Sequence, residues 1–142
     1  RKVDMSVNYT AVLVATIVDF VIGAIWYMPV FGNVWGKIHG FDKLSKKEQD
    51  EARKGMGPLL LVQLLITAVT AWALAKLNLL LPTYSIYTLA LLLWTGFVVP
   101  TQLAAIIFGG TEPKWVVTKA LIMAGGSLAC LEAAAYIIKT IQ

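Results

Sequence analysis

The chain has 142 residues, of which 58% are hydrophobic and 14% charged, with a formal net charge of +4. Soluble domains are about 45–50% apolar and about 25% charged, so a mean hydropathy of +0.74 excludes an ordinary soluble composition and points to a membrane. Anionic lipid headgroups account for the excess positive charge, and no basic groove suggests nucleic acid.

In chain order, Arg1 to Asp4 precede Met5 and are read as vector-derived residues ahead of the natural start. The first apolar block runs from Tyr9 to Met28, close to the ~20 residues that carry a helix across ~30 Å of hydrocarbon. An acid in its middle, Asp19, and no small-residue cleavage site mark it as a mature helix rather than a signal peptide. The acceptor triplet Asn8-Tyr9-Thr10 lies at the membrane boundary and is read as a chance match. At about 100° per residue, Asp19 shares a face with Val12, Ala15, Thr16, Gly23 and Trp26. Val14, Ile17, Val21 and Met28 fall on the opposite face. Pro29 ends the helix, and Trp26, Tyr27 and Trp35 belong at headgroup level.

The loop that follows carries Lys37, Lys43, Lys46, Lys47, Arg53 and Lys54. Ser45 with Glu48 three residues on is a capping box, which predicts a short cytoplasmic helix ended by Gly55 and Gly57-Pro58. The second block, Pro58 to Leu80, aligns Gln63, Thr67 and Thr70 on one face. The third, Tyr84 to Phe108, aligns Thr88, Thr95 and Gln102, and contains Pro100, which cannot donate to the Gly96 carbonyl. A hinge at Gly96 and Pro100 is expected, because such breaks are tolerated where neighbours or a cavity satisfy the freed carbonyl. The fourth block, Trp115 to Ile138, aligns Thr118, Gly125, Ala129, Glu132 and Tyr136.

These blocks predict an all-α membrane protein: a single domain over residues 1–142 with four antiparallel transmembrane helices and a short cytoplasmic helix between the first two. Transmembrane strands would need ~10-residue segments of strict alternation, and none is present. Eight Lys and Arg fall in the first and third loops against four on the other side. Both termini are therefore expected outside the plasma (inner) membrane.

The chemistry of ordinary enzymes is missing. His39 is the only histidine and Cys130 the only cysteine, so haem-ligand pairs and intrachain disulfides are excluded, and no zinc spacing or phosphate loop occurs. No enzyme, cofactor or metal is expected. The acids carry more information. An Asp at a helix centre costs ~2.5–3.5 kcal/mol on insertion scales and needs an interior partner or water. Counting ~1.5 Å per residue from each midpoint places Asp19, Thr67, Thr70, Thr95 and Gly125 in one layer, with Glu132 about 8 Å further out. A hydroxyl of Thr67 or Thr70, or the Gly96 carbonyl, is the expected partner of Asp19. Tyr136 and Lys139 are the expected neighbours of Glu132.

Several stretches carry a family resemblance: "NYTAVLVATIVDFVIGAIWYMPVFGNVWGKIHGF", "KGMG", "GFVVPTQLAAIIFGG" and "PKWVVTKALIMAGGSLA". Over roughly Asn8 to Ile138 the chain resembles the integral membrane family catalogued as domain of unknown function 1761, most specifically at Gly23, Trp26, Tyr27, Pro29, Phe31, Gly32 and Trp35. The resemblance implies a small four-helix membrane protein and supplies no activity. A likeness to small multidrug exporters, also short four-helix chains with an acid in the first helix, extends to no motif.

Three functions fit the pattern. A proton-coupled carrier of a small solute would use Asp19 as proton or cation site, Glu132 as outer relay and the Pro100 break as moving part. A non-catalytic membrane module would use the same acids, with Gln63 and Gln102 as interhelical hydrogen-bond glue, to hold the bundle or a partner. A binder of lipid or an apolar ligand would line its pocket with Trp26, Trp72 and Trp94. In each case a homo-oligomer is expected, since four polar stripes are hard to bury in one copy.

Overall fold

The computed structural model describes residues 5–141, so the vector-derived reading of Arg1 to Asp4 falls outside the described residues. Among them every regular element is a helix: α1 (Tyr9–Ile25), α2 (Gly32–Ile38), α3 (Lys46–Leu80), α4 (Ile86–Leu93), α5 (Val99–Phe108) and α6 (Val116–Ile141). Four stretches are long and apolar enough to cross a membrane: Tyr9–Val30, Lys46–Leu80, Ile86–Phe108 and Pro113–Ile141.

Local chemistry sets the helix starts. The Asn8 side chain accepts from the Ala11 N–H at 3.2 Å, filling the role of an N-cap. Ser45 and Glu48 close the expected capping box, with Ser45 N–H donating to Glu48 Oε2 at 2.8 Å. Ser85 caps α4 through the Tyr87 N–H. Gly40, at φ +70°, makes the left-handed turn after α2 that L side chains avoid.

The first and third long helical stretches change register beside their internal prolines. Between α1 and α2 the chain forms a π-turn, Trp26–Val30, around Pro29, and the Phe31 N–H reaches back to the Trp26 carbonyl at 3.0 Å. Between α4 and α5 a second π-turn, Trp94–Val98, lies just before Pro100. Where a hinge at Gly96 and Pro100 is expected, the helix carries a widened turn, a common way for a helix to absorb a proline. Thr95 and Thr101 hydroxyls bond the Leu91 and Phe97 carbonyls on either side of it.

The second helix differs from expectation. Gly55 and Gly57-Pro58 do not end a short helix; α3 runs unbroken for 35 residues from Lys46 to Leu80. Pro58 releases only the Lys54 carbonyl, and both residues lie in an exposed stretch where water can satisfy it. Helix is dictated from both sides, by the capping box before and the apolar run after.

α1 lies between α3 and α6, and α6 also packs on α4 and α5. Half of the shared core is alanine, Ala11, Ala15, Ala71, Ala75, Ala90, Ala134 and Ala135, and its largest side chains are Leu74, Ile86, Leu89, Leu131 and Ile138. Lipid tails are as apolar as leucine, so helices in a membrane gain by backbone approach at small residues rather than by burying large ones. Ile17, Val21 and Met28 turn outward as the phase of the first span predicted, Leu13 and Ile25 join them, and Val14, expected on the same face, is half-buried.

Apart from Gln102 and Gly125, which meet neighbouring helices, the polar stripes of the other helices largely stay out of the core. Thr70 and Thr95 are exposed and Gln63 likewise, while the residues buried from α3 are Ala71, Leu74 and Ala75. On α6, Ile122, Gly126, Leu131 and Ile138 are buried, whereas Tyr136 is exposed and Glu132 half-buried. Thr67 and Thr70 donate to the Gln63 and Ile66 carbonyls of their own helix. A hydroxyl satisfied in that way has no need of the interior.

Candidate functional site

Asp19 is the acid that the fold encloses. It faces α6 from the buried side of α1, below Ala15 and Thr16, and is 5% exposed. Thr16 Oγ1 donates to the Val12 carbonyl at 2.7 Å, which leaves its one proton unavailable to the carboxyl. Cys130 of α6 meets Asp19 at the backbone, its thiol 3.6 Å from the Asp19 carbonyl oxygen. Asp19 Oδ1 is buried with no hydrogen-bond partner. Among the described residues no group of three or more metal-ligating side chains forms.

The layer of residues expected around Asp19 is only partly assembled. Thr67, Thr70 and Thr95 bond their own helix carbonyls. Gln63 reaches only Thr67, at 3.4 Å. Gln102 instead joins two helices, its amide nitrogen 3.4 Å from the Met123 carbonyl and its oxygen 3.5 Å from the Ser127 hydroxyl. Gly96 and Pro100 are exposed. Lys139 lies over the Tyr87 ring, 5.3 Å from its centroid, rather than against Glu132.

Two of the three tryptophans expected to line a pocket are tied to α6 instead. Trp26 Nε1–H donates to the Ile122 carbonyl at 2.8 Å, and its ring lies on Gly125 and Gly126 so closely that an added Cβ would come within 2.9 and 3.0 Å of it. Trp94 Nε1–H donates to the Ala124 carbonyl at 2.8 Å and lies 3.2 Å from Ser127 Oγ. Each tryptophan opens a π-turn, so both widened turns are pinned to the same stretch of α6. Trp72 is 42% exposed. Periodicity does not reveal this pinning; the Gly125-Gly126 pair was the available signal, since adjacent glycines in an apolar helix leave room for a bulky neighbour.

A further cluster, which joins Tyr27 and Trp35 of the expected headgroup-level aromatics to His39, lies at and beyond the π-turn of the first span. Trp35 packs edge-on against Tyr27 at 4.8 Å and against the His39 ring at 4.5 Å. His39 Nδ1 lies 2.8 Å from the Trp35 carbonyl. A carbonyl only accepts, so Nδ1 carries the hydrogen and Nε2 is left to accept from the Lys119 ammonium at 3.2 Å.

The family described as "Protein of unknown function (DUF1761)" matches residues 10–138. The chain belongs to this family. The match spans α1 through most of α6, so both π-turns, Asp19 and the Trp26–Gly126 contact lie within the DUF1761 region. No curated protein and no solved structure matches the chain.

Proposed function

We propose that this DUF1761 protein is a multi-pass protein of the plasma (inner) membrane that carries a small solute coupled to protons, with Asp19 as the proton site. One observation carries the proposal: a carboxyl oxygen, Asp19 Oδ1, is enclosed between α1 and α6 without a partner. An unmade hydrogen bond of a buried polar group costs about 1–3 kcal/mol, which a purely structural residue avoids by finding a donor. A site that binds and releases a proton needs free acceptor capacity. The two π-turns add support, since such turns recur at functional hinges, and both are anchored on the helix that covers Asp19. Glu132, half-buried on α6, serves as outer relay.

Three end contacts support antiparallel spans. Lys76 Nζ lies 3.0 Å from the Met5 carbonyl and Asn8 Nδ2 lies 3.4 Å from the Ile141 carbonyl, gathering the start of the first span with the ends of the second and fourth. His39 and Lys119 join the opposite ends. The lysine distribution then puts both termini outside and the start of α3 in the cytoplasm. The outward Gln63, Thr67 and Thr70 stripe supports a homo-oligomer, where a second copy would pair the glutamine.

A second reading, binding of lipid or an apolar ligand, is favoured by one feature: an almost wholly apolar groove of about 310 Å³ between α1 and α3, lined by Val12, Leu13, Thr16, Leu64, Leu65 and Ala68.

Asp19→Asn tests the carrier. The substitution keeps shape and removes titration. In wild-type protein in lipid, a carboxyl infrared band absent from the Asp19→Asn difference spectrum should titrate, and the protection of Trp26–Val30 and Trp94–Val98, corrected for the intrinsic pH dependence of exchange, should change with pH. In Asp19→Asn that band and that change in protection should be missing while the protein still folds. If the corrected protection of the π-turns follows pH equally in both proteins, Asp19 is structural and the proposal fails.

A further inference from the structure

We infer that the cleft beside the inner end of the first span is a binding site for the phosphate headgroup of an anionic phospholipid, with an acyl chain laid along the outer face of α1. This inference is independent of the Asp19 reading. The chain doubles back after the π-turn of the first span, and between α2, the turn at Gly40 and the start of α3 it leaves an open cleft of about 460 Å³. Asn33, Lys37 and Arg53 line the cleft, with Asp42 as the one carboxylate among its walls and Met28 and Phe41 as its apolar residues.

The cations are suited to a phosphate diester. The Arg53 guanidinium lies over the Phe41 ring at 5.4 Å, and its Nη1 is 3.6 Å from Asp50 Oδ1. A guanidinium has five N–H donors in a planar fork that matches phosphate oxygens, so the loose Asp50 contact leaves most of them available. Lys37 and the Asn33 amide supply donors from α2. Lys37 and Arg53 face Asp42 across the cleft, and Asp50 draws on Arg53 from outside its walls.

The neighbouring surface suits the rest of a lipid. Ile17, Val21, Ile25 and Met28 are each at least half exposed. They recur at intervals of three or four residues and form one stripe along the first span that ends at the cleft. At ~1.5 Å per residue this stripe is about 16 Å long, comparable to most of an acyl chain. Charge at one end and an apolar track leading from it select an anionic amphiphile over a free anion.

The experiment uses the full chain in neutral detergent, titrated with phosphatidylglycerol or phosphatidylcholine and read by native mass spectrometry. Wild type should retain phosphatidylglycerol in preference to phosphatidylcholine. The double variant Lys37→Ala/Arg53→Ala should lose that preference about tenfold or more, because it removes the charge-assisted donors aimed at the phosphate. Lys47→Ala/Lys54→Ala removes the same charge outside the cleft and should leave the preference intact. Equal losses in the two double variants would reduce the effect to bulk charge and overturn the inference. So would displacement of the lipid by millimolar inorganic phosphate, which would make the cleft a site for the free anion. All four side chains are exposed, and an unchanged melting temperature confirms that folding is preserved.

Discussion

A glycine in α6 is defined by the tryptophan it admits. At Gly126 an added Cβ would lie 3.0 Å from both Cδ1 and Nε1 of Trp26, and the ring is held there by its 2.8 Å bond to the Ile122 carbonyl. Two effects of Gly126→Ala oppose each other. Helix propensity favours alanine by about 0.8–1 kcal/mol, whereas overpacking costs about 1–3 kcal/mol and here also pushes the indole off its acceptor. The clash wins, and Gly126→Ala should destabilise by about 1 kcal/mol in a detergent melt. Gly57→Ala, with nothing within 4 Å of the added atom, meets no such opposition and should raise the melting temperature. If both substitutions shift stability the same way, Trp26 is not seated as described.

The elements owe their limits to a few polar contacts. α3 begins where Ser45 and Glu48 close on one another, and the bond from the Ser45 backbone N–H, followed by that with its hydroxyl, holds the Glu48 carboxyl below its usual range. This first turn precedes Pro58 and the apolar run and is exposed to water. A group whose folded value is lowered adds stability above its unfolded value, and loses it as pH falls through the lowered one. The start of α3 should thus be intact at neutral pH and fray in acid, below the ordinary carboxyl range. The Ser45 amide resonance should titrate with Glu48 in wild type. In Glu48→Gln, which can still accept that bond, it should be flat; a titration surviving the substitution would assign it to another group. The same helix shows why the predicted stop at Gly57-Pro58 gives way: a proline at the edge of an exposed stretch frees one carbonyl to water, too weak a penalty to interrupt a helix specified on both sides.

For the molecule as a whole, arrangement follows from which helix surfaces are smooth. α6 presents Gly125, Gly126, Ala134 and Ala135 to its neighbours and becomes the element on which α1, α4 and α5 gather. Orientation is then a matter of charge, and it can be measured. With Cys130→Ser as background, Lys47→Cys should label only from the cytoplasmic side and Tyr84→Cys only from outside, both positions being exposed. Labelling of Lys47→Cys from outside in intact cells would invert the topology and move the cleft at Lys37 and Arg53 to the other membrane face.

Much of this was determined by sequence alone, where the physics is local. Apolar blocks of about 20 residues specify four long helices whatever packs on them. The Ser45 box is written in neighbouring residues, Pro29 and Pro100 mark the two irregular turns, and the phase of α1 correctly put Asp19 and Ala15 inside with Ile17 and Val21 outside. What the other helices do with their polar stripes was decided only by tertiary structure. A threonine in an apolar helix can bond the carbonyl four residues back, so Thr67, Thr70 and Thr95 carry no instruction to face inward. Close approach at alanine and glycine settled the matter instead, turning Ala71 and Ala75 inward and placing Trp26 on Gly125 and Gly126. Asp19 Oδ1 was left enclosed without a partner because the hydroxyls that periodicity offered it were already satisfied on their own helices.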